Sequence, residues 1–426
     1  MIYNRKMLYV QKDSIFQEKL LSRFLKYAKI CTTSDSVNAD KGIFPSTERQ
    51  IDFAKILKSE LENLGLSEVC LTENSYLYAR LDATKGFENA KSFCLLSHLD
   101  TSEEVPPNDV NPIVHKNYDG SKIILNETFI NPQDDEELLK TAHQNDTIIT
   151  SDGNTLLGTD DKAGIAEIVT AIEYIIENKI PHGTVEVIFS PDEETGHGMD
   201  KVPLNLLKSK HAYTVDGGSK GELETECFNA YSAKITFYGK STHTGTARKG
   251  KMINAISVAS AFIQNLPHNE LPETTDGYMG FFAPLEISGT VEKASVYLLL
   301  RDFTEDGMQK RISLIKKMLE TLELSTNAKT NLELTEQYKN MKEVLQKSPF
   351  VVEILKKAYK SSGVEPIFSP IRGGTDGSRL CEMGIATPNI FTGGHNFHSR
   401  TEWASLNQMT DALNVLINLI ILHTEQ

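Results

Sequence analysis

The chain has 426 residues, a formal net charge of −14, 39% hydrophobic and 24% charged residues. That is an ordinary globular composition with enough apolar material for a sizeable core, and its length exceeds what one core usually organises, so two domains are expected. The acidic surplus excludes a surface built for nucleic acid or an anionic membrane.

In chain order, M-I-Y-N-R-K-M-L-Y-V-Q-K-D is too broken by charge for a secretory signal, and no apolar run approaches the ~18 residues of a membrane span. A cytoplasmic protein with no membrane partner is the expectation. Helical spacing of Ile15, Phe16, Leu20, Leu21, Phe24 and Leu25 predicts a helix over 14–30, and Ile51, Ala54, Leu57, Leu61 and Leu64 another over 47–64, stopped at Gly65. Strands are predicted near 67–81 and 92–98. Residues 101–147, rich in Pro, Asn and Asp, lack periodicity and read as an excursion from the sheet with short strands at most. A strong helix over 162–178 is followed by a strand at 184–189. This alternation of strands and helices predicts a mostly parallel, helix-flanked α/β sheet.

The rhythm changes after about residue 226. A strand over 228–238, a helix over 251–265, strands at 284–290 and 294–303, a helix over 305–323 and a strand at 331–337 give the β-α-β-β-α-β order of a ferredoxin-like α+β module. Beyond about 340 a helix (349–361), a strand (385–391) and an amphipathic helix (406–423) restore the first pattern. The expected domains are therefore 1–226 and 341–426, together the catalytic domain, interrupted by an inserted lid domain at 227–340.

Five apolar runs or helix mouths end in His, Asp or Glu. S-F-C-L-L-S-H-L-D ends in His98 and Asp100, L-L-G-T-D-D-K-A-G carries Asp160, and S-P-D-E-E-T-G carries Glu193 and Glu194. A-Y-T-V-D-G-G ends in Asp216, and T-P-N-I-F-T-G-G-H-N-F-H ends in His398. Each has a bland alternative: a core histidine, a helix N-cap, a solvated turn. Since i and i+2 of a strand share a side, H-x-D predicts an imidazole and a carboxylate aimed at one point. Imidazoles and carboxylates at the carboxyl ends of several strands are what a divalent metal of zinc type needs, and open α/β sheets bind ligands there. From the chemistry alone, His395 could serve as well as His398. The five cysteines, Cys31, Cys70, Cys94, Cys227 and Cys381, are odd in number and lack C-x-x-C spacing, so buried thiols in a reducing cell are expected rather than disulfides.

In this order, H-x-D, G-x-D-D-K-x-G, D-E-E-x-G, a strand-end Asp and a C-terminal His after a Gly-rich turn resemble the di-zinc exopeptidase superfamily of aminoacylases and carnosinases. The resemblance spans nearly the whole chain and is nearest to the superfamily's tripeptide aminopeptidases. It implies two Zn2+ per subunit, with Asp160 as bridge, His98 and Asp216 completing one site, and Glu194 and His398 the other. It further implies that Asp100 orients His98, that Glu193 is the general base, and that Asp160 and Asp161 are joined by a cis peptide. His243, in S-T-H-T-G-T-A, would polarise the scissile carbonyl, and Arg301 and Arg372 would clamp a peptide carboxylate. The implied substrates are tripeptides, and a homodimer through the lid domain is a further expectation. A dipeptidase, an N-acyl-amino-acid amidohydrolase and a non-catalytic metal-binding protein of this fold remain the alternatives.

Overall fold

The computed structural model describes residues 9–12 and 14–425; the charge-broken stretch at residues 1–8 lies outside the described residues. The chain divides into two compact units. One comprises the residues up to Thr225 together with Val344–Ser369 and Thr375–Gln426, and the other Glu226–Glu343 with Pro370–Gly374.

The first unit is built on an eight-stranded sheet. Its order is Ser67–Leu71, Leu77–Leu81, Val185–Ser190, Phe93–His98, Ala212–Gly217, Asn389–Phe391, Glu222–Cys227 and Ile367–Ile371. The four middle strands, from Val185–Ser190 to Asn389–Phe391, run parallel. Leu77–Leu81 and Glu222–Cys227 flank them antiparallel. Phe93–His98 and Val185–Ser190 are buried along their whole length, as strands covered on both faces must be, which explains their mostly apolar runs; the one acid inside them, Glu186, accepts from the Tyr78 hydroxyl and the Lys208 and Ser209 amides.

The helix Thr159–Glu177 packs on the central strands and against the helix Leu406–Leu422. Gly164 is what lets it approach so closely, since a Cβ there would stand 1.9 Å from the Val215 carbonyl oxygen and 2.5 Å from Asp161 Oδ1. The helices Ile15–Ala28, capped by Ser14, and Glu48–Asn63 follow the predicted periodicity and bury Leu20, Phe24, Phe53, Leu57 and Leu61. Between residues 101 and 147 lie the short strands Ile113–His115, Ile123–Ile124 and Phe129–Ile130, and a helix, Glu136–Thr141, whose six residues are too few to show a period. The strand Ile367–Ile371 and the helix Asp376–Glu382 are likewise too short for the apolar pattern to mark them. The helix opens on a Thr375–Ser378 capping box and buries Leu380 and Cys381, too few apolar positions to show a period.

The second unit contains Asn229–Tyr238, Ala255–Gln264, Phe281–Gly289, Lys293–Asp302, Glu305–Thr326 and Lys329–Tyr338. Its antiparallel sheet has the order Phe281–Gly289, Lys293–Asp302, Asn229–Tyr238, Lys329–Tyr338, the arrangement of a ferredoxin-like module. One face packs Ile235, Phe237, Val296 and Leu298 on Val258, Phe262, Ile312 and Ile315 of the two helices.

Candidate metal centre

His98 ends its strand, and its Nε2 lies 2.7 Å from Asp160 Oδ1 and 3.5 Å from Asp216 Oδ1. Its Nδ1 faces Asp100, 3.1 Å from the carbonyl and 3.3 Å from Oδ1. Asp100 itself lies beyond the strand's end at His98, so strand alternation does not bring the pair together. The chain turns there, and the Asp100 carboxylate accepts the amides of Glu193 (3.0 Å) and Glu194 (3.1 Å). It therefore ties the D-E-E turn to the histidine.

Asp160 faces both histidines: its Oδ2 is 3.4 Å from His398 Nε2, opposite the Oδ1 contact to His98. Its neighbour points elsewhere. Asp161 accepts from Ser97 Oγ, from the His98 amide (3.1 Å) and from the Gly164 amide (3.3 Å). The peptide between the two aspartates is cis. Oxygens of Asp161 and Asp216 lie close enough to His98 to share one cation with it, as do those of Asp160 and Glu194. Because both oxygens of Asp161 are taken up by amides and Ser97, Asp160 is the better placed donor.

Glu194 Oε2 is 3.0 Å from His398 Nε2. Its Oε1 is buried with no hydrogen-bond partner, a costly situation for a carboxylate oxygen unless a cation takes it. The donor set supports the same fit, with two imidazoles held at Nδ1 by Asp100 and by Glu104 (2.7 Å), leaving Nε2 toward the carboxylates. His395 is occupied differently, stacked on Trp403 at 3.9 Å with Nε2 on Gln408 Oε1 at 3.1 Å.

The crowding shows in the electrostatics. Burial, reinforced by Asp160, pushes Asp216 up to about 6 and Glu194 up to about 8. Burial also raises Glu193 well above the carboxylate range, with Asp216 adding and His98 opposing. Burial would raise Asp160 too, but hydrogen bonds from His398 and His98 hold it low. So many acids in one place are mutually unfavourable, and a bound cation reverses that balance.

Several residues that hold the site carry little signal of that role in the sequence. Asp192, at φ 58°, accepts Ser46 N (2.7 Å), Ser46 Oγ and Gln50 Nε2 (2.7 Å), and its own amide donates to Gln50 Oε1 (3.0 Å). Ser190 donates to Asp376 Oδ2 at 2.5 Å. The turn bearing Glu193 and Glu194 is thus fastened by Asp100, Asp192 and Ser190. A hydrophilic S-T-E-R-Q start to a helix was the only available signal for Ser46 and Gln50.

The remaining candidates lie in the second unit. His243 is exposed and accepts the Gly245 amide at Nδ1, 3.2 Å away. Arg301 spends Nη1 on the carbonyls of Tyr231 (3.2 Å) and Leu300 (3.0 Å), and its guanidinium lies over the Tyr338 ring at 5.4 Å. Arg372 has both amino groups engaged, Nη1 with the Gly277 and Met279 carbonyls at 2.8 Å and Nη2 with Thr275 Oγ1 at 2.9 Å and its carbonyl at 3.3 Å. The arginine expected to clamp a peptide carboxylate thus holds a loop. All five cysteines are free thiols, and among the described residues no helix is long and apolar enough to cross a membrane.

This fold and cluster have known counterparts. The profile of Peptidase family M20/M25/M40 matches residues 143–422. The chain is 44% identical over 412 residues to Peptidase T of Clostridium perfringens, covering 96% of this chain and 100% of that one. It is also 44% identical over 415 residues to Peptidase T of Geobacillus thermodenitrificans, covering 96% and 99%. Among solved structures, aminopeptidase PepT from Bacillus cereus superposes with a TM-score of 0.75 at 23% identity over 96% of this chain and 99% of that one. A dinuclear metal-binding M20 peptidase from Bacillus subtilis gives 0.65 at 14% identity over 96% and 99%, a likeness of fold. The chain belongs to peptidase family M20/M25/M40 and is a metal-binding hydrolase of the aminopeptidase class.

Proposed function

We propose that the chain releases the N-terminal residue from tripeptides as a cytoplasmic di-zinc aminopeptidase. The observation that carries the reading is Asp160, whose two oxygens face the Nε2 atoms of two histidines each held at Nδ1 by a carboxylate. Asp160 is the proposed bridge, with His98 and Asp216 on one side and Glu194 and His398 on the other. Zinc bound there would supply Lewis acidity and make a water nucleophilic at neutral pH.

Glu193 is the proposed general base, and its support is position and protonation. Its amide is fixed by Asp100 and its carboxyl group is raised by burial, so it is suited to take the proton of the attacking water and return it to the leaving amine. Asp100 keeps His98 oriented while it does so. The family resemblance assigns His243 to stabilising the oxyanion. It assigns Arg301 and Arg372 to the substrate's terminal carboxylate, and Arg301, with one amino group engaged by carbonyls against two in Arg372, is the better placed clamp. The strand Phe281–Gly289 ends the second unit's sheet with Leu285 61% and Ile287 46% exposed, which supports pairing of two subunits along that edge.

A peptide panel tests the reading. Dipeptides, tripeptides and tetrapeptides with free and blocked termini, assayed with zinc, should give release of the first residue fastest from free tripeptides. Preference for dipeptides or N-acyl-amino acids would move the chain to another activity of the family, and no hydrolysis of any would leave a metal-binding protein only.

A further inference from the structure

Glu402, four residues after His398, is 1% exposed. Its Oε2 accepts the amides of Leu157 (2.7 Å) and Gly158 (2.9 Å), and its Oε1 those of Thr159 (2.7 Å) and Asp160 (3.4 Å). Four consecutive main-chain donors converge on one side chain that lies more than 240 positions away in the sequence. These are N–H groups at the mouth of the helix Thr159–Glu177, where donors have no intrahelical acceptor. The backbone leaves helical values at Asp160 (ψ 105°) and Asp161 (φ −121°), and the regular turns that follow are capped locally by Asp161 through the Gly164 amide, so it is the lead-in, with Gly158 at φ 80°, that has no side-chain acceptor of its own. Glu402 gathers that lead-in from another part of the chain.

The segment held in this way is the one that presents Asp160. We infer that Glu402 is a positioning residue for the metal centre, fixing the Leu157–Asp160 backbone so that the Asp160 carboxylate stands between His98 and His398. The same short loop carries His398, whose Nε2 is 3.4 Å from Asp160 Oδ2, so one carboxylate sets the separation of a bridging and a terminal donor. An isosteric amide cannot do this, since its NH2 group would face two of the four amides donor to donor. The inference rests on Asp160 being a ligand, as proposed above.

The test is zinc titration of the metal-stripped full-length chain by calorimetry, with far-UV circular dichroism as the check of fold. Glu402→Gln should keep the fold and bind zinc at least about 10-fold more weakly, the usual scale for a lost outer partner. Asp146→Asn is the control. Asp146 is also buried and accepts the amides of Thr147 (2.7 Å) and Asn407 (3.1 Å), but contacts none of the site residues; this variant should melt earlier yet keep wild-type zinc affinity. A folded Glu402→Gln with wild-type affinity overturns the inference. If that variant does not fold, Glu402→Asp decides in the same titration: it keeps the charge on a shorter arm, and wild-type affinity there overturns the inference equally. Wild-type chain that takes up no divalent cation would instead overturn the metal reading, and this inference with it.

Discussion

The two ends of the parallel sheet treat the same side chain in opposite ways. At the carboxyl end His98, 2% exposed, is held well above the usual histidine range: burial pulls it down, but Asp216, Asp100 and Asp160 outweigh it. At the amino end His211 (4% exposed) and His423 (1%) stack on each other at 5.4 Å beside Tyr213. Burial, with the charge of Lys91 adding, lowers His211 to about 4, and burial, with His211 next, lowers His423 to about 3. Burial is shared by all three, so it is the neighbours that decide. Carboxylates make one end a candidate cation site, while burial without an acidic partner leaves the other a neutral packed core.

The sharpest way to break this contrast is at Glu193. Glu193→Gln keeps the shape and removes the proton acceptor, so kcat should fall about 10²–10⁴-fold with zinc content, measured by mass spectrometry, unchanged. Loss of both metals would make Glu193 a ligand and refute its role as base.

Asp160→Ala attacks the acid cluster itself. Metal content should drop, and the gain in melting temperature on adding zinc should vanish, because only a folded state that binds the ion is stabilised by it. Full zinc stoichiometry in this variant would remove Asp160 from the ligand set. Stripping metal from the wild type with a chelator should produce the same fall in melting temperature.

A smaller effect separates the two arginines of the second unit. Arg301→Ala should lower kcat/KM for free-acid tripeptides by about 2 kcal/mol or more and nearly abolish the preference over the tripeptide amide. Arg372→Ala should act mainly on thermal stability, since its guanidinium holds the Thr275–Met279 carbonyls. Equal kinetic losses in the two variants would show that the Arg372 engagement yields to substrate.

The smallest effect probes the amino end. His211 and His423 stay neutral in the fold, whereas an unfolded chain protonates them near pH 6.5. The unfolded state then binds more protons, so stability falls as the pH drops from about 6.5 toward 4, by at most about 1.4 kcal/mol per pH unit for each histidine. Denaturant melts of His211→Gln/His423→Gln should show a shallower loss across that window than wild type. An unchanged slope would mean that these rings are not neutral in the fold.

How far the sequence reached follows from the range of the interactions. Apolar periodicity is local, and it marked the long helices, the inserted β-α-β-β-α-β unit and the buried strands, because a helix or strand must bury one face wherever it sits. Strand-end acids were legible for the same reason: a charge directly after a buried run needs a partner. Short elements such as Glu136–Thr141 and Ile367–Ile371 carry too few residues for any period. The resemblance already picks Asp160 over Asp161, and the tertiary structure alone decided that Asp161 is taken up by Ser97 and two amides, that Asp100 holds the D-E-E turn by its amides, and that Arg372 supports a loop. It also brought Glu402, Ser46 and Gln50 to bear on the site. Their bonds go to main-chain groups or to residues far along the chain, and a carboxylate that accepts a backbone amide constrains no neighbouring side chain. Such pairings arise only when the sheet is assembled, from the requirement that every buried donor and acceptor be satisfied.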